Sequence, residues 1–242
     1  KLTVNSFGSL HIAVHSAGID RVRGFPNKHI GDDDFVASFG TIMDVNVRGT
    51  LHFMSAELAY WRSADVRGVI VNVASAAGLV GFHPSPEYTT SKWGMIGFSK
   101  HAALQYAYLG IRVNVIAPGV TNTPMSSVSP QINRLIGAQI PFGRMAEAWE
   151  VAGPISFFAS NMSSYVTCQV LAVDAGWSEQ GISTPRAVPS AIDRSPLHID
   201  AAQRHDRVLS LALITLGFGC AILGRKVLGP KLVCSEEDVH LV

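Results

Sequence analysis

The hydrophobic residues of this chain form short continuous runs that alternate with longer stretches of helical periodicity. Residues 68–74, GVIVNVA, are a β-branched run of strand length that is too continuous to be half exposed. Similar runs occupy residues 10–14, begin at residue 111 and lie within residues 167–177. We therefore predict buried parallel strands separated by helices, which is a doubly wound α/β sheet.

The helical stretches predict where this sheet is covered. Residues 32–64 have apolar positions at helical spacing and three aspartates at the expected start, where the helix dipole favours negative charge. Further helices are predicted from about Tyr88 and over residues 147–160. The helix after Tyr88 is apolar on more than one face. We expect one of its sides to cover the sheet and the other to pack on a second subunit.

Composition divides the chain into three parts. Residues 1–177 can form one substantial domain, since 48% of the 242 residues are hydrophobic. Residues 178–203 are rich in Pro and Ser, which predicts a linker, and residues 204–242 form a tail. Within the tail, residues 208–223 are uncharged and are flanked by arginines and lysine. This run is shorter than the usual spanning length of about 20 residues, so a membrane anchor and a packing helix both remain open.

Charge and cysteine content limit the partners and the compartment. The net charge of +1 argues against a nucleic acid partner. Cys168, Cys220 and Cys234 have no metal-binding spacing, and the histidines form no metal pattern, so we expect no metal site. An odd number of cysteines favours a reducing compartment. No basic-then-apolar leader follows Lys1. We expect no signal peptide and a cytoplasmic or membrane-associated protein.

Candidate chemistry is concentrated between Ser75 and Lys92. Ser75 follows the predicted central strand, and ligands of open α/β sheets bind beyond the carboxyl ends of strands. Tyr88 and Lys92 are four residues apart and share one helix face. An ammonium roughly 4 Å from the phenol would lower its pKa from about 10 by nearly three units. This predicts an acid–base site; the alternative is a turn serine and a solvent-exposed Tyr/Lys pair.

The Ser-(12 residues)-Tyr-(3 residues)-Lys pattern at the end of a buried strand resembles the short-chain dehydrogenases/reductases. The resemblance covers residues 7–177 and implies a Rossmann-like fold and hydride transfer between NAD or NADP and a secondary alcohol or ketone. It assigns proton exchange to Tyr88, support of the phenol and the cofactor ribose to Lys92, and substrate orientation to Ser75. Asn46, within DVNVRGT, matches the family's active-site asparagine, which kinks its helix and positions a water. A merely tolerated helical asparagine is the alternative.

The same resemblance implies where the cofactor lies. His15-Ser16-Ala17-Gly18 stands where the family has an Asn-Asn-Ala-Gly turn, so the small Ala17 and Gly18 would allow a close approach of the ligand. A second group follows the strand that begins at residue 111. It would contact the nicotinamide half and comprises Pro118, Gly119, Val120, Thr121 and Thr123. A generic Pro-Gly turn is the alternative there.

Three further expectations complete the sequence analysis. Residues 126–143 correspond to a mobile lid in the family, and their apolar side chains indicate a small alcohol or ketone substrate with hydrophobic bulk. Family dimers and tetramers imply a homodimer or homotetramer. The family's Gly-x-x-x-Gly-x-Gly turn does not occur in these 242 residues. We therefore expect the first three strands to be absent and dinucleotide binding to be weak, and a truncated, catalytically inactive chain is the alternative to an active enzyme.

Overall fold

A computed structural model of the protein describes residues 2–20, 30–32, 35–81, 85–126 and 130–180. Within these residues, four parallel strands form one sheet in the order β1-β2-β3-β4. The strands are β1 (Ile12–His15), β2 (Val69–Val73), β3 (Arg112–Pro118) and β4 (Val170–Val173). The parallel α/β sheet predicted from the hydrophobic pattern is confirmed. The predicted tail, its uncharged run at 208–223 and the linker beyond residue 180 lie outside the described residues.

The helices of the described residues are α1 (Leu2–Phe7), α2 (Phe35–Met43), α3 (Thr50–Ala64), α4 (Pro86–Tyr106), α5 (Pro130–Ala138) and α6 (Ala148–Ala159). Side chains of α3, α4 and α6 pack against the strands. Helix α4 begins two residues before Tyr88, with Pro86 in its first turn, where the missing amide hydrogen costs nothing. A reciprocal capping box between Glu147 and Glu150 starts α6. The helices predicted from Tyr88 and over residues 147–160 are thus confirmed.

Strand β2 explains why its sequence is a continuous apolar run. Ile70 packs on one face with side chains of α3 and α4, whereas Val71 packs on the other face with Val151 and Phe158 of α6. Both strand residues have no exposed surface. A strand covered on both faces carries apolar residues at successive positions, because alternate side chains point to opposite layers.

The helical stretch predicted over residues 32–64 is present as α2 and α3, and it is irregular around Asn46, the residue for which the family resemblance implied a kinked helix. A π-helical segment, Asp44–Gly49, separates α2 from α3. The Asn46 side chain bonds to the backbone of Ile19, and the Thr50 hydroxyl donates to the Asn46 carbonyl oxygen at 2.9 Å. These contacts supply partners for polar groups in the widened turn. Such interruptions of α-helices occur frequently at functional sites.

The parallel register brings the carboxyl ends of the strands to one edge of the sheet. The paired residues near this edge are His15 with Asn72, Val73 with Ile116, and Pro118 with Val173. Segments that leave β1, β2 and β3 therefore start side by side. Among the helices of the described residues, none has the length and hydrophobicity needed to cross a membrane.

Candidate active site

Ser75 caps a short turn of helix directly after β2. It precedes the 3-10 helix Ala76–Gly78, and its hydroxyl accepts a hydrogen bond from the Ala77 amide at 3.2 Å. A Cβ atom at Gly78 would lie 3.0 Å from the carbonyl oxygen of Lys92 in α4. A glycine at this position thus lets the turn pack directly against α4. The strand end and the helix that carry the predicted site residues are thereby held together.

Tyr88 lies in the first turn of α4, and the Ser75 side chain is among the groups that influence its pKa. Burial raises the pKa of Tyr88 above its ordinary value near 10, the Ser75 hydrogen bond opposes this, and the negative charge of Asp20 adds to it. The predicted lowering of this pKa is therefore wrong. The spacing argument placed a cation near the phenol but took no account of burial, which favours the neutral form.

Lys92 lies one helical turn further along α4 and is only 4% exposed. Its ammonium nitrogen Nζ lies 5.4 Å from the centroid of the Tyr88 ring and donates a hydrogen bond to the Val73 carbonyl oxygen at 3.2 Å. Burial lowers the pKa of Lys92 to about 8. The structure thus places Ser75, Tyr88 and Lys92 around one location beyond the end of β2.

Asn46 connects this location to the segment after β1. Its amide nitrogen Nδ2 donates to the Ile19 carbonyl oxygen and to Ser91 Oγ, both at 2.9 Å, and its Oδ1 accepts from the Ile19 amide at 2.8 Å. Asn46 is completely buried. The Ser91 hydroxyl in turn donates to the Tyr88 carbonyl oxygen at 2.7 Å. The sequence analysis did not identify Ser91, although its position three residues after Tyr88 and directly before Lys92 was the available signal.

Gly18 lies against the same residues. A Cβ atom at this position would be 3.2 Å from Asn46 Oδ1, closer than side chains are usually found, and 3.4 Å from Lys92 Nζ. A small residue is therefore required at position 18 because the side chains of Asn46 and Lys92 lie against it. The neighbouring Ala17 is exposed at the surface. The turn after β1, the π-helical segment and α4 thus meet at Gly18.

The loop after β3 starts at the same edge of the sheet. The Gly119 amide donates to the Val173 carbonyl oxygen at 3.0 Å, and the Val120 carbonyl oxygen accepts from the Ala146 amide at 3.0 Å. Hydrogen bonds within the loop hold its hydroxyl-bearing residues, and their participants are Thr121, Thr123 and Ser126. The loop thus has a defined conformation beside Ser75. Contact of Pro118 to Thr123 with a dinucleotide stays a prediction.

A small cavity is lined by residues of this loop and of the segment before α6. Its lining residues are Val120, Ile140, Phe142, Arg144, Ala146, Glu150, Val173, Asp174 and Ala175. Arg144 forms a two-pronged ion pair with Glu150, with N–O distances of 2.7 and 2.8 Å. The four predicted catalytic residues do not line this cavity. The ion pair fixes the segment that enters α6, a structural role that the sequence analysis did not identify. In the described part of the chain, no group of three or more His, Cys, Asp or Glu residues is arranged to hold a metal ion.

The fold and this arrangement agree with comparisons to known proteins. A family profile described as enoyl-(acyl carrier protein) reductase matches residues 1–178. The chain belongs to the short-chain dehydrogenase/reductase family. It is similar to cis-4-hydroxycyclohexanecarboxylate dehydrogenase of Sinomonas cyclohexanicum, with 36% identity over 173 residues, 71% of this chain and 67% of the relative. The trans-4-hydroxycyclohexanecarboxylate dehydrogenase of that organism is also 36% identical, over 72% of this chain and 62% of the relative.

A solved structure extends this comparison to the cofactor. The structure of ElxO with NADP bound superimposes with a TM-score of 0.67 at 28% identity and covers 74% of this chain and 71% of that protein. NAD or NADP is the cofactor of the family to which this chain belongs. The chain spans about two thirds of the length of the two dehydrogenases.

Proposed function

We propose that this protein transfers a hydride between NAD(P) and a secondary alcohol or the corresponding ketone. The placement of Lys92 carries the proposal: its buried ammonium lies 5.4 Å from the centroid of the Tyr88 ring and donates to the Val73 carbonyl oxygen, two residues before Ser75. A phenol, a hydroxyl and a cation are thus gathered where a substrate oxygen can lie. The two similar dehydrogenases, whose names specify ring alcohols, support the substrate class.

Several described residues fit a nicotinamide dinucleotide. An ammonium group has three hydrogen-bond donors, and the structure gives Lys92 one bond, to the Val73 carbonyl. Lys92 would hold the ribose hydroxyls next to the nicotinamide. The turn at Ala17 and Gly18 and the loop from Pro118 to Thr123 would contact the same half of the cofactor. When bound, the dinucleotide supplies or accepts the hydride.

The proton is handled by Tyr88. A raised phenol pKa means that Tyr88 is protonated at neutral pH. In ketone reduction the phenol donates this proton to the substrate oxygen as negative charge develops there, and Ser75 donates a second hydrogen bond to that oxygen. In alcohol oxidation the phenolate accepts the proton. The Lys92 ammonium stabilises the phenolate formed in the first case and used in the second.

Asn46 acts on this chemistry through its neighbours. Both ends of its amide are engaged, with the backbone of Ile19 on one side and with Ser91 on the other. We assign to it the positioning of the turn at Gly18 relative to the first turn of α4, which carries Tyr88. This positioning role is consistent with the complete burial of the Asn46 side chain.

Turnover of a defined substrate panel tests the proposed function. The full-length protein is mixed with NADH or NADPH and with ring ketones such as 4-oxocyclohexanecarboxylate, and nicotinamide absorbance is followed. We expect saturable oxidation of one dinucleotide with a cyclic ketone and slower turnover of short acyclic ketones. Comparing the turnover of cyclic and acyclic ketones distinguishes a preference for bulky apolar substrates from general ketone reductase activity. Failure of every ketone and alcohol with both dinucleotides would contradict the proposal.

We also propose that α4 contacts a second copy of this chain. Its outer side exposes Trp93 and Leu104, with 50% and 71% of their surfaces accessible, and α3 exposes Phe53 at 64%. Large apolar side chains on helices that already cover a sheet are typical of subunit interfaces. Light scattering of the wild type and of Leu104→Glu tests this. We expect a dimer or tetramer that dissociates in the variant, and a monomeric wild type would contradict the proposal.

A further inference from the structure

The imidazole of His15 is held between two oxygen atoms at the end of β1. Its Nδ1 lies 2.7 Å from Asn72 Oδ1, and its Nε2 lies 3.0 Å from Glu57 Oε1. The side chains of His15 and Glu57 are only 10% and 13% exposed. His15 is the first residue of the His-Ser-Ala-Gly turn that ends at Gly18. Its partners come from β2 and α3, so it joins two layers of the fold.

The hydrogen bonds around Asn72 determine the protonation state of His15 Nδ1. The Ser99 hydroxyl donates its proton to the Met95 carbonyl oxygen in α4. Ser99 Oγ therefore accepts a hydrogen bond from Asn72 Nδ2, at 2.7 Å. This fixes the orientation of the Asn72 amide, with its carbonyl oxygen toward His15. Since an amide oxygen only accepts, Nδ1 carries a proton.

The other ring nitrogen faces a carboxylate. Glu57 Oε2 is buried and has no hydrogen-bond partner among the described residues. A carboxylate with one desolvated, unpaired oxygen is costly unless a cation lies close to it. An imidazole that is protonated at both nitrogens supplies that cation and donates to Glu57 Oε1 and to Asn72 Oδ1 at once.

We propose that His15 is a positioning residue, an imidazolium bridge from Asn72 to Glu57 that holds the turn containing Gly18 and Ile19 in place beside Asn46. This inference rests on the proposed function, because the turn is a proposed cofactor contact. The turn is then fixed at both ends. His15 holds its start through β2 and α3, and Asn46 holds Ile19 at its other end.

The charges around His15 agree with this geometry. Glu57 is the ionisable group that contacts the ring in the described part of the chain, and the neutral Phe53 ring lies 6.0 Å away. Burial lowers the pKa of His15, but the hydrogen bond and charge of Glu57, together with Asn72, outweigh it, so the pKa is raised above 6.5. The bridge is therefore complete below pH 6.5 and is lost as pH rises through the higher folded-state pKa.

Nitrogen NMR of the histidine side chains in the full-length protein tests the protonation directly. We expect both ring nitrogens of His15 to be protonated at pH 5.5, with a titration midpoint above that of a free imidazole. In Glu57→Gln, which keeps the shape of the acceptor and removes its charge, the midpoint should fall. Glu179→Gln makes the same change on an exposed residue and should leave the midpoint unchanged. A His15 that is neutral at Nε2, with the proton on Glu57, would overturn the proposal.

Amide hydrogen exchange tests the positioning effect. Exchange at Ile19, compared at one pH, should be about tenfold faster in Glu57→Gln than in the wild type, because a hydrogen bond between charged groups has been weakened. His15→Asn should give faster exchange that no longer follows the His15 titration. Unchanged protection at Ile19 in both variants would overturn the inference. Neither the NMR titration nor the amide exchange requires turnover. If the protein proved to be inactive, both measurements would still test the role of His15. If the proposed function and the positioning role of His15 are both correct, Glu57→Gln should raise KM for the dinucleotide more than it changes kcat.

Discussion

The ammonium nitrogen of Lys92 lies 5.4 Å from the centroid of the Tyr88 ring, one helical turn further along α4. Both groups are largely removed from water, so burial raises the pKa of the phenol and lowers the pKa of the ammonium to about 8. Each group is thus shifted toward its neutral form in the folded protein. At neutral pH the buried ammonium of Lys92 is costly for folding, whereas the phenol is neutral in both the folded and the unfolded state. Residues that impair stability while serving activity are common at active sites.

Replacing Lys92 by Met should stabilise the protein at neutral pH. The folded state opposes the charged form of Lys92 by about two and a half pKa units, or roughly 3 kcal/mol, and the lost hydrogen bond to Val73 offsets about 1 kcal/mol. The penalty is complete below about pH 8 and vanishes as pH rises to 10.5. We therefore expect Lys92→Met to gain about 1–3 kcal/mol in free energy of unfolding at pH 7 and progressively less above pH 8.

Urea unfolding at several pH values measures this effect. Lys100→Met is the matched control, because Lys100 is an exposed lysine of the same helix. The control should change the free energy of unfolding by less than about 0.5 kcal/mol at every pH. A Lys92→Met protein that is less stable than the wild type at pH 7 would show that the ammonium is stabilised by its surroundings.

Ser75→Ala should reduce kcat for ketone reduction by about 10²–10³-fold, since it removes one donor to the developing oxyanion. The Ser75 hydrogen bond also lowers the pKa of Tyr88, so its loss should raise that pKa further. The pH at which reduction declines should then move upward. Kinetics over a range of pH values measure both effects. Ser55→Ala, an exposed serine of α3, should change neither, and a Ser75→Ala enzyme with wild-type kcat would remove Ser75 from the mechanism.

Asn46→Ala should lower the free energy of unfolding by about 2–4 kcal/mol, because it removes a fully buried side chain and leaves the partly buried amide and carbonyl of Ile19 without their partner. Asn122→Ala provides the control. Asn122 is exposed, and its side chain makes a long hydrogen bond of 3.5 Å to Glu147. In chemical denaturation, the free energies of unfolding of the two variants should therefore differ by at least about 1.5 kcal/mol. Equal effects would mean that the amide of Asn46 is replaceable by water.

Gly18→Ala should be destabilising although alanine is usually the more stable residue. The added methyl group would lie 3.2 Å from Asn46 Oδ1 and 3.4 Å from Lys92 Nζ, so the turn must move. Gly97→Ala in α4 meets no atom within 4 Å and should be neutral or stabilising by up to about 1 kcal/mol. Thermal unfolding of the two variants compares them. A Gly18→Ala protein as stable as Gly97→Ala would show that the turn at Gly18 accommodates the added methyl group without loss of stability.

Local sequence patterns were sufficient for the scaffold of the site. The continuous apolar run at 68–74 became β2, and the spacing of Tyr88 and Lys92 placed them on one face of α4. Strand ends were less accurate. The run at 10–14 became β1 (Ile12–His15), and the strand within 167–177 was only β4 (Val170–Val173). Periodicity reports which residues are buried, whereas hydrogen bonds to neighbouring strands decide where a strand ends.

The features that the sequence did not reveal depend on residues far apart in the chain. The family resemblance implied a kinked helix at Asn46 but not the contacts of Asn46 to Ile19, and the His15 bridge needs Glu57 and Asn72. Spacing between Tyr88 and Lys92 indicated proximity but not burial, and burial determines the direction of both pKa shifts. Long-range packing therefore limits what a local pattern can establish about the electrostatics of the site.

The proton transfer assigned to Tyr88 is tested most directly by the kinetics of Tyr88→Phe in the full-length protein. Phenylalanine keeps the ring and removes only the hydroxyl group to which the proton transfer is assigned. We predict that kcat falls by about 10²–10⁴-fold while the affinity for the dinucleotide stays within about twofold of the wild type. Retention of wild-type turnover by Tyr88→Phe would contradict the account.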